Sequence, residues 1–285
     1  MAKNVIDAIV TAAEEASFGD GSDYRVLPVA AVDTIAHSIG ATTREVEISA
    51  LENDVVPERY ARNLKTCTCR QQAALLQSRV AVVGLGGLGG TVVEILARAG
   101  VGHLSLVDGD RFEGHNLNRQ IVCTPDLLSH PKAPAAARRV AAVNPSVEVT
   151  THPEFLSEAN TDRFLTGADV VVDCLDNLPD RFLLEAAAKK SETPFVSAAV
   201  AGLSGHITTI FPEDPGLTLI YGSLEESSPK GVETTLGCLP QAVMLVAAIE
   251  CAEVSKILLA QPNLLRNHLL LIDLTDNSFE KIRLA

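Results

Sequence analysis

The chain has 285 residues, 47% of them hydrophobic but only 4% aromatic, with no Trp and a formal net charge of −13. That balance excludes a general attraction to DNA or to an anionic membrane surface, so a polyphosphate site would have to concentrate positive charge locally. No apolar run reaches the roughly 18 residues of a membrane span. The start MAKNVIDAIV soon turns acidic at Glu14, Glu15 and Asp20, unlike a signal peptide, and the expectation is a cytoplasmic protein with reduced thiols. The six cysteines (Cys67, Cys69, Cys123, Cys174, Cys238, Cys251) form no CxxC pair and read as buried or idle thiols.

In chain order, residues 1–57 read as short helices. Val5, Ile6, Ile9, Val10 and Ala13 recur at helical spacing. A polar loop, Phe18–Arg25, follows. Pro28 opens a second helix that Gly40 stops, and Thr42 and Glu45 have capping-box spacing for a third. The spacing of Ala36, Gly40 and Val46 resembles a DNA-binding helix-turn-helix, but the segment holds three basic and ten acidic side chains, which opposes phosphate binding. A packing or dimer arm fits better.

From residue 79 strands and helices alternate: a strand Arg79–Gly84, a helix Gly89–Ala99 ended by Gly100, a strand His103–Asp108, a helix Pro134–Val143, a strand Val147–Thr151, a buried strand Val170–Asp173, a helix Arg181–Lys190 and a strand Pro194–Ala198. Such alternation implies right-handed βαβ units and a parallel sheet. Pro212–Gly237 reads as a long crossover loop. Gln241–Leu259 is a strongly apolar helix expected to carry Glu250, Glu253 and Lys256 on its polar side. His268–Leu274 and Phe279–Leu284 read as a closing hairpin. The fold class expected is α/β: a Rossmann-like, doubly wound, mainly parallel sheet with a C-terminal antiparallel portion and a small N-terminal helical segment.

Three motifs carry chemistry. Gly84-Leu85-Gly86-Gly87-Leu88-Gly89 lies where a strand gives way to a helix, where glycines let backbone N–H groups approach phosphate. Asp108 follows Gly89 by 19 residues, at the end of the next strand, where an acid accepts from ribose hydroxyls. This much implies a nucleotide without separating ATP from NAD. Just past it come Glu113-Gly114-His115-Asn116-Leu117-Asn118-Arg119-Gln120 and then Lys132. Arg119 and Lys132 are fixed cations near the phosphate end; hydride transfer leaves them idle, whereas a triphosphate losing pyrophosphate requires them. Third is Asp173-Cys174-Leu175-Asp176-Asn177 at the carboxyl end of a buried strand. Asp176 there can hold Mg²⁺ against phosphates, or Asp176 or Asn177 can simply cap the next helix.

With these residues in view, the chain resembles the MoeB/ThiF/HesA adenylyltransferases, relatives of the ubiquitin-activating enzymes. The matching strings are GLGGLG at 84–89, VDGDRFEGHNLNRQ at 107–120, PK at 131–132 and DCLDN at 173–177. Arg59-Tyr60-Ala61-Arg62-Asn63 also resembles an early helix of the family. The likeness covers 58–285, taken as one ATP-binding adenylation domain after an N-terminal extension, 1–57. It implies ATP-dependent adenylation of the C-terminal glycine carboxylate of a small ubiquitin-like sulfur carrier ending in Gly-Gly, with release of pyrophosphate. It further implies ATP contacts from Gly84, Gly86, Gly87, Gly89, Asp108, Asp110, Asn116, Arg119, Gln120, Lys132, Asp176 and Asn177, and Mg²⁺ on Asp176. Arg119, Lys132 and Asp176 would serve the reaction, joined by Arg62 from the partner subunit of a homodimer.

The chain departs from the family where many members bind zinc through two CxxC pairs: the matching stretch here reads Leu219-Ile220-Tyr221-Gly222, and Asp276–Ala285 has no Cys. No zinc is expected. Cys238 is the nearest thiol to the crossover stretch. Small residues at Ser197–Gly202 suit either tight packing or a narrow channel for a Gly-Gly tail. The rival readings are a superfamily member that adenylates a peptide or a modified tRNA nucleoside, a non-catalytic partner subunit, and an NAD-linked oxidoreductase.

Overall fold

A computed structural model describes residues 2–223 and 236–284. The N-terminal part holds helices α1 (Ala2–Ala12), α2 (Val29–Ile39) and α3 (Thr43–Glu52). The Thr42 hydroxyl accepts from the Glu45 N–H while the Glu45 carboxylate accepts from the Thr42 N–H, which satisfies two otherwise orphaned donors of the first turn. Gly40 ends α2 at φ 68°, a left-handed conformation that glycine adopts at no steric cost. The helical reading of 1–57 is incomplete. The end of the polar stretch expected as a loop, Asp23–Arg25, instead enters the central strand of a three-stranded sheet: β2 (Asp23–Leu27) forms a hairpin with β1 (Glu14–Ser17), and β3 (Val55–Pro57) pairs parallel to β2. Half-exposed residues at β2 hide the strict apolar alternation on which strand recognition rests.

The main sheet has eight strands: β4 (Arg79–Val83), β5 (His103–Val107), β6 (Glu148–His152), β7 (Val170–Asp173), β8 (Phe195–Ala201), β9 (Ser204–Ile210), β10 (His268–Asp273) and β11 (Ser278–Arg283). Their order is β11-β10-β9-β8-β7-β4-β5-β6. Strands β4 to β8 run parallel, and β9, β10 and β11 complete the sheet antiparallel. Around it lie α4 (Cys69–Gln77), α5 (Gly87–Ala99), α6 (Lys132–Val143), α7 (Thr161–Leu165), α8 (Leu178–Lys190), the short α9 (Thr218–Tyr221) and α10 (Pro240–Leu258).

Side-chain parity along the strands divides the core. Val80, Val82, Leu104, Leu106 and Val172 face α5, α6 and α10, whereas Ala81, Val83, Val107 and Val171 face α7 and α8. Both faces are covered, so these strands are continuous apolar runs; each fully buried Val contributes about 1.5–3 kcal/mol. From β4 the chain winds outward through β5 to β6, then returns to place β7 on the other side of β4. That reversal opens a crevice at the carboxyl ends of β4 and β7, where doubly wound sheets bind ligands.

The apolar helix α10 corrects one expectation. Glu250 and Glu253 are buried, at 0% and 1% exposure, rather than on a polar face. Glu253 accepts from the Thr209 hydroxyl (2.6 Å) and the Leu265 N–H (2.7 Å) and pairs with Lys256. Glu250 meets the Cys174 thiol at 3.7 Å, and burial raises its carboxyl well above the usual range. Helical spacing cannot reveal this, because α10 crosses both α5 and the sheet and is enclosed on more than one side. Cys123, Cys174 and Cys251 are buried as expected. Of the stretch read as a crossover loop, residues 224–235 lie outside the described residues; the part before them contains α9. Among the described residues no helix is long and apolar enough to cross a membrane.

Candidate active site

The crevice is a cleft of about 880 Å³. Its floor is the glycine loop. Gly84 takes φ 88°, and a Cβ there would meet the Cys174 carbonyl oxygen at 2.6 Å. A Cβ on Gly89 would collide with the Gly84 carbonyl oxygen, so Gly89 locks the loop from beneath and does not line the cleft. The N-cap of α5, Gly86, offers no side-chain cap. The first-turn amides therefore remain available to an anion, with the positive end of the helix dipole behind them. Gly89→Ala is expected to abolish nucleotide binding while Gly114→Ala, which has open space around it, leaves it unchanged; titration with a fluorescent ATP analogue measures both.

Asp108 stands at the end of β5. Its Oδ2 accepts from the Leu85 N–H and its Oδ1 from the Asp110 N–H, both at 2.7 Å. The carboxylate thus braces the glycine loop as well as facing the cleft. Burial raises its pKa, and the Lys132 ammonium opposes that rise. Lys132, 6% exposed, starts α6 two residues earlier than the expected Pro134. Its Nζ lies 3.0 Å from Asp110 and 3.9 Å from Asp108. Arg119 is half-buried in the cleft wall and donates only to the His115 carbonyl and the Asn118 side chain. It has no carboxylate partner among the described residues. Gln120 lines the cleft beside it, 5% exposed, with a buried Oε1 that lacks a hydrogen-bond partner.

Asn116 does not line the cleft. It is 4% exposed, and its Oδ1 accepts from the Glu113 N–H at 2.9 Å, while its carbonyl accepts from the Arg119 and Gln120 amides. It shapes the turn that presents those two residues. Arg62 is also absent from the cleft lining; it is exposed on a 3₁₀ helix, Glu58–Asn63. The choice between Asp176 and Asn177 as a cap is resolved: the Asn177 side chain accepts from the Asp180 N–H, and Asp176 is exposed at the cleft with only a 3.4 Å contact from Asn177. Among the described residues no three His, Cys, Asp or Glu side chains gather as a metal cage. The exposed Asp176 carboxylate suits Mg²⁺, which takes one or two carboxylates and completes its shell with phosphate oxygens and water.

Sequence reasoning missed Arg181 and Asp173 as a pair. Asp173 is 0% exposed and Arg181 5%. The guanidinium donates to Asp173 Oδ2 at 2.9 Å, to the Ala198 carbonyl at 2.8 Å, and to the Leu175 carbonyl, while the Ser197 hydroxyl donates to the same carboxylate oxygen at 2.7 Å. These bonds fix the turn that carries Asp176. The signal was present: an Asp inside a fully buried strand requires a nearby cation, and Arg181 lies in the next helix.

A second cavity, about 550 Å³, adjoins the cleft and shares Asp176, Asn177, Arg181, Ala199 and Val200 with it. His206 and Tyr221 meet there at 2.8 Å, and burial pulls His206 down to about 4, so its ring is neutral near pH 7.

A family model described as the ThiF family matches residues 60–285. The SAMP-activating enzyme E1 of Haloferax volcanii is 37% identical over 233 residues, which cover 79% of this chain and 84% of that protein. A sulfur carrier protein adenylyltransferase of Thermus thermophilus is 34% identical, covering 74% of this chain and 80% of its own. Among solved structures, E. coli MccB superposes with a TM-score of 0.70 at 19% identity, over 82% of this chain and 70% of that one, and PaaA with 0.67 at 21%, over 80% and 82%. At such identities the two structures speak for the fold.

Proposed function

The chain belongs to the ThiF family and is an adenylyltransferase, and we propose that it uses ATP and Mg²⁺ to adenylate the C-terminal glycine carboxylate of a small ubiquitin-like sulfur carrier ending in Gly-Gly, releasing pyrophosphate. The observation that carries this reading is the convergence in one cleft of a bare glycine loop, an unpaired Arg119 and the Asp176 carboxylate, with a second cavity leading into it past Ala199 and Val200. The carrier substrate fits the names of the Haloferax and Thermus relatives.

The chemistry follows from charge. A carboxylate attacking an α-phosphate is already ionised at neutral pH, so no general base is needed. What is needed is alignment of two anions and neutralisation of the charge that collects on the departing pyrophosphate. The first-turn amides of α5 hold the phosphates, Asp108 accepts from the ribose, and Gln120 and Arg119 orient and neutralise the reacting group. Lys132 is already shared between Asp108 and Asp110, so it positions more than it neutralises. Mg²⁺, when bound at Asp176, supplies positive charge against phosphate oxygens.

The cleft is short of free cations. Asp108, Asp110, Asp176 and Asp180 line it, Arg181 is committed to Asp173, and Arg119 alone is unpaired among the described lining residues. This shortage supports the homodimer reading, in which the exposed Arg62 acts in the neighbouring subunit's cleft; residues 1–57 then form an extension of the adenylation domain at 58–285, packed on it through Leu51 and Tyr60. Mixing Arg62→Ala with Arg119→Ala protein is then expected to restore activity that neither has alone; mixed samples as inactive as their components overturn the shared site. No zinc is part of the proposal, since the six cysteines supply no CxxC pair. A modified tRNA nucleoside fits less well, because both cavities are rimmed by carboxylates, which repel a polynucleotide. The direct product test is the intact mass of a Gly-Gly-ending carrier after incubation with enzyme, ATP and Mg²⁺: the acyl-adenylate supports the proposal, and unmodified carrier with every candidate tested overturns it.

A further inference from the structure

The second cavity has a floor with an ordered chemical sequence. Strand register places Ala199, His206, Leu271 and Glu280 in one row across β8, β9, β10 and β11. The next row on the same face is Ala201, Ser204, Asp273 and Ser278. All eight line the cavity. The opposite face of these strands, with Ile207 and Ile272, is buried against α10. The floor therefore grades from small apolar residues at the nucleotide cleft, through the neutral His206–Tyr221 pair, to two carboxylates at its far end. Neither Asp273 nor Glu280 forms an ion pair among the described residues. Asp273 Oδ1 accepts from the Thr275 N–H at 2.8 Å, which favours its ionised form. The one Lys or Arg among the described residues lining this cavity, Arg181, is already satisfied by Asp173 and two carbonyls.

We propose that this groove selects a substrate tail with two small terminal residues and a basic side chain three or four residues before the terminal carboxylate, held by Asp273 and Glu280. The inference rests on the carrier-tail reading above and adds the tail's chemistry. Distance sets the position. Strands lie about 4.8 Å apart, so β10 is about 10 Å and β11 about 14 Å from the β8 residues at the cleft. An extended peptide advances about 3.3 Å per residue, which places the third and fourth residues upstream over Asp273 and Glu280. A Lys or Arg there meets two carboxylates and, among the described lining residues, no cation beyond the already paired Arg181, while an acidic residue meets like charge, so the groove both attracts one tail and rejects the other.

The test uses synthetic twelve-residue peptides ending in Gly-Gly, at millimolar concentration, that carry Arg, Ala or Glu at both upstream positions. ATP–pyrophosphate exchange is read as kcat/KM for each. The Arg peptide is expected to exceed the Glu peptide by about tenfold or more in the wild type, falling with added salt. In the Asp273→Lys/Glu280→Lys variant the order is expected to reverse. The ratio between two peptides within one protein does not depend on how much of that protein is folded. Equal rates with Arg and Glu peptides, or an unchanged ratio in the variant, overturn the inference and leave the carrier reading intact. No exchange with any peptide and none with an intact Gly-Gly-ending carrier overturns both, whereas exchange with the carrier at a rate indifferent to Arg or Glu at those positions overturns the tail rule alone.

Discussion

Replacing Arg119 with alanine is expected to lower carrier-dependent ATP–pyrophosphate exchange by about 10²–10³-fold, the usual cost of removing a preorganised donor from a site of developing negative charge. The fold should not respond. Arg119 donates only to the neighbouring His115 carbonyl and Asn118 side chain and has no carboxylate that its loss would strand, so the melting temperature should stay within about 2 °C. A loss of exchange without a loss of stability distinguishes this role from a structural one. Because Arg119 is the one unpaired cation among the described cleft residues, its removal should cost more than Lys132→Met, whose ammonium is already divided between two carboxylates. A Lys132→Met effect larger than that of Arg119→Ala would contradict the assignment of charge neutralisation to Arg119.

The second large effect concerns stability. Arg181→Met leaves the Asp173 carboxylate with no cation at 0% exposure and frees the Ala198 and Leu175 carbonyls. Breaking one side of a buried pair costs about 3–5 kcal/mol, or roughly 10 °C in melting temperature for a chain of this size. Asp173→Leu combined with Arg181→Met removes both charges and is expected to recover most of that loss, since a buried pair replaced by apolar groups is often nearly neutral. Exchange should remain low in the double variant even where stability returns, because the turn carrying Asp176 loses its bonds to Arg181. Thermal denaturation and exchange, measured on the same samples, separate the two consequences.

Much of this architecture is legible from residues alone because it obeys simple periodicities. Val80–Val83 and Val170–Val172 are short apolar runs buried on both faces, and Gly40, Gly100 and the Thr42–Glu45 box mark helix ends by local chemistry. The cleft residues are legible for the same reason: a glycine loop after one strand, an acid after the next and an Asp-Asn pair after a third must meet at the carboxyl edge of a parallel sheet. What escapes depends on packing and bonding that residue spacing does not display. Glu250 and Glu253 look solvated because helical spacing cannot show that α10 is enclosed by α5 and the sheet. The β1–β2 hairpin is polar and half-exposed, so its alternation is weak. Asn116 carries a polar side chain in the right motif but spends it on its own turn. The Asp273–Glu280 end of the groove depends on the register between β10 and β11, which pattern alone does not fix.

The central claim is tested most directly by ATP–pyrophosphate exchange with the wild-type chain in the presence and absence of a small carrier ending in Gly-Gly. The account predicts exchange that requires the carrier's free C-terminal carboxylate and vanishes when that carboxylate is amidated. ATP bound in the cleft with no exchange on any Gly-Gly-ending carrier, or exchange indifferent to amidation of the terminus, would contradict it.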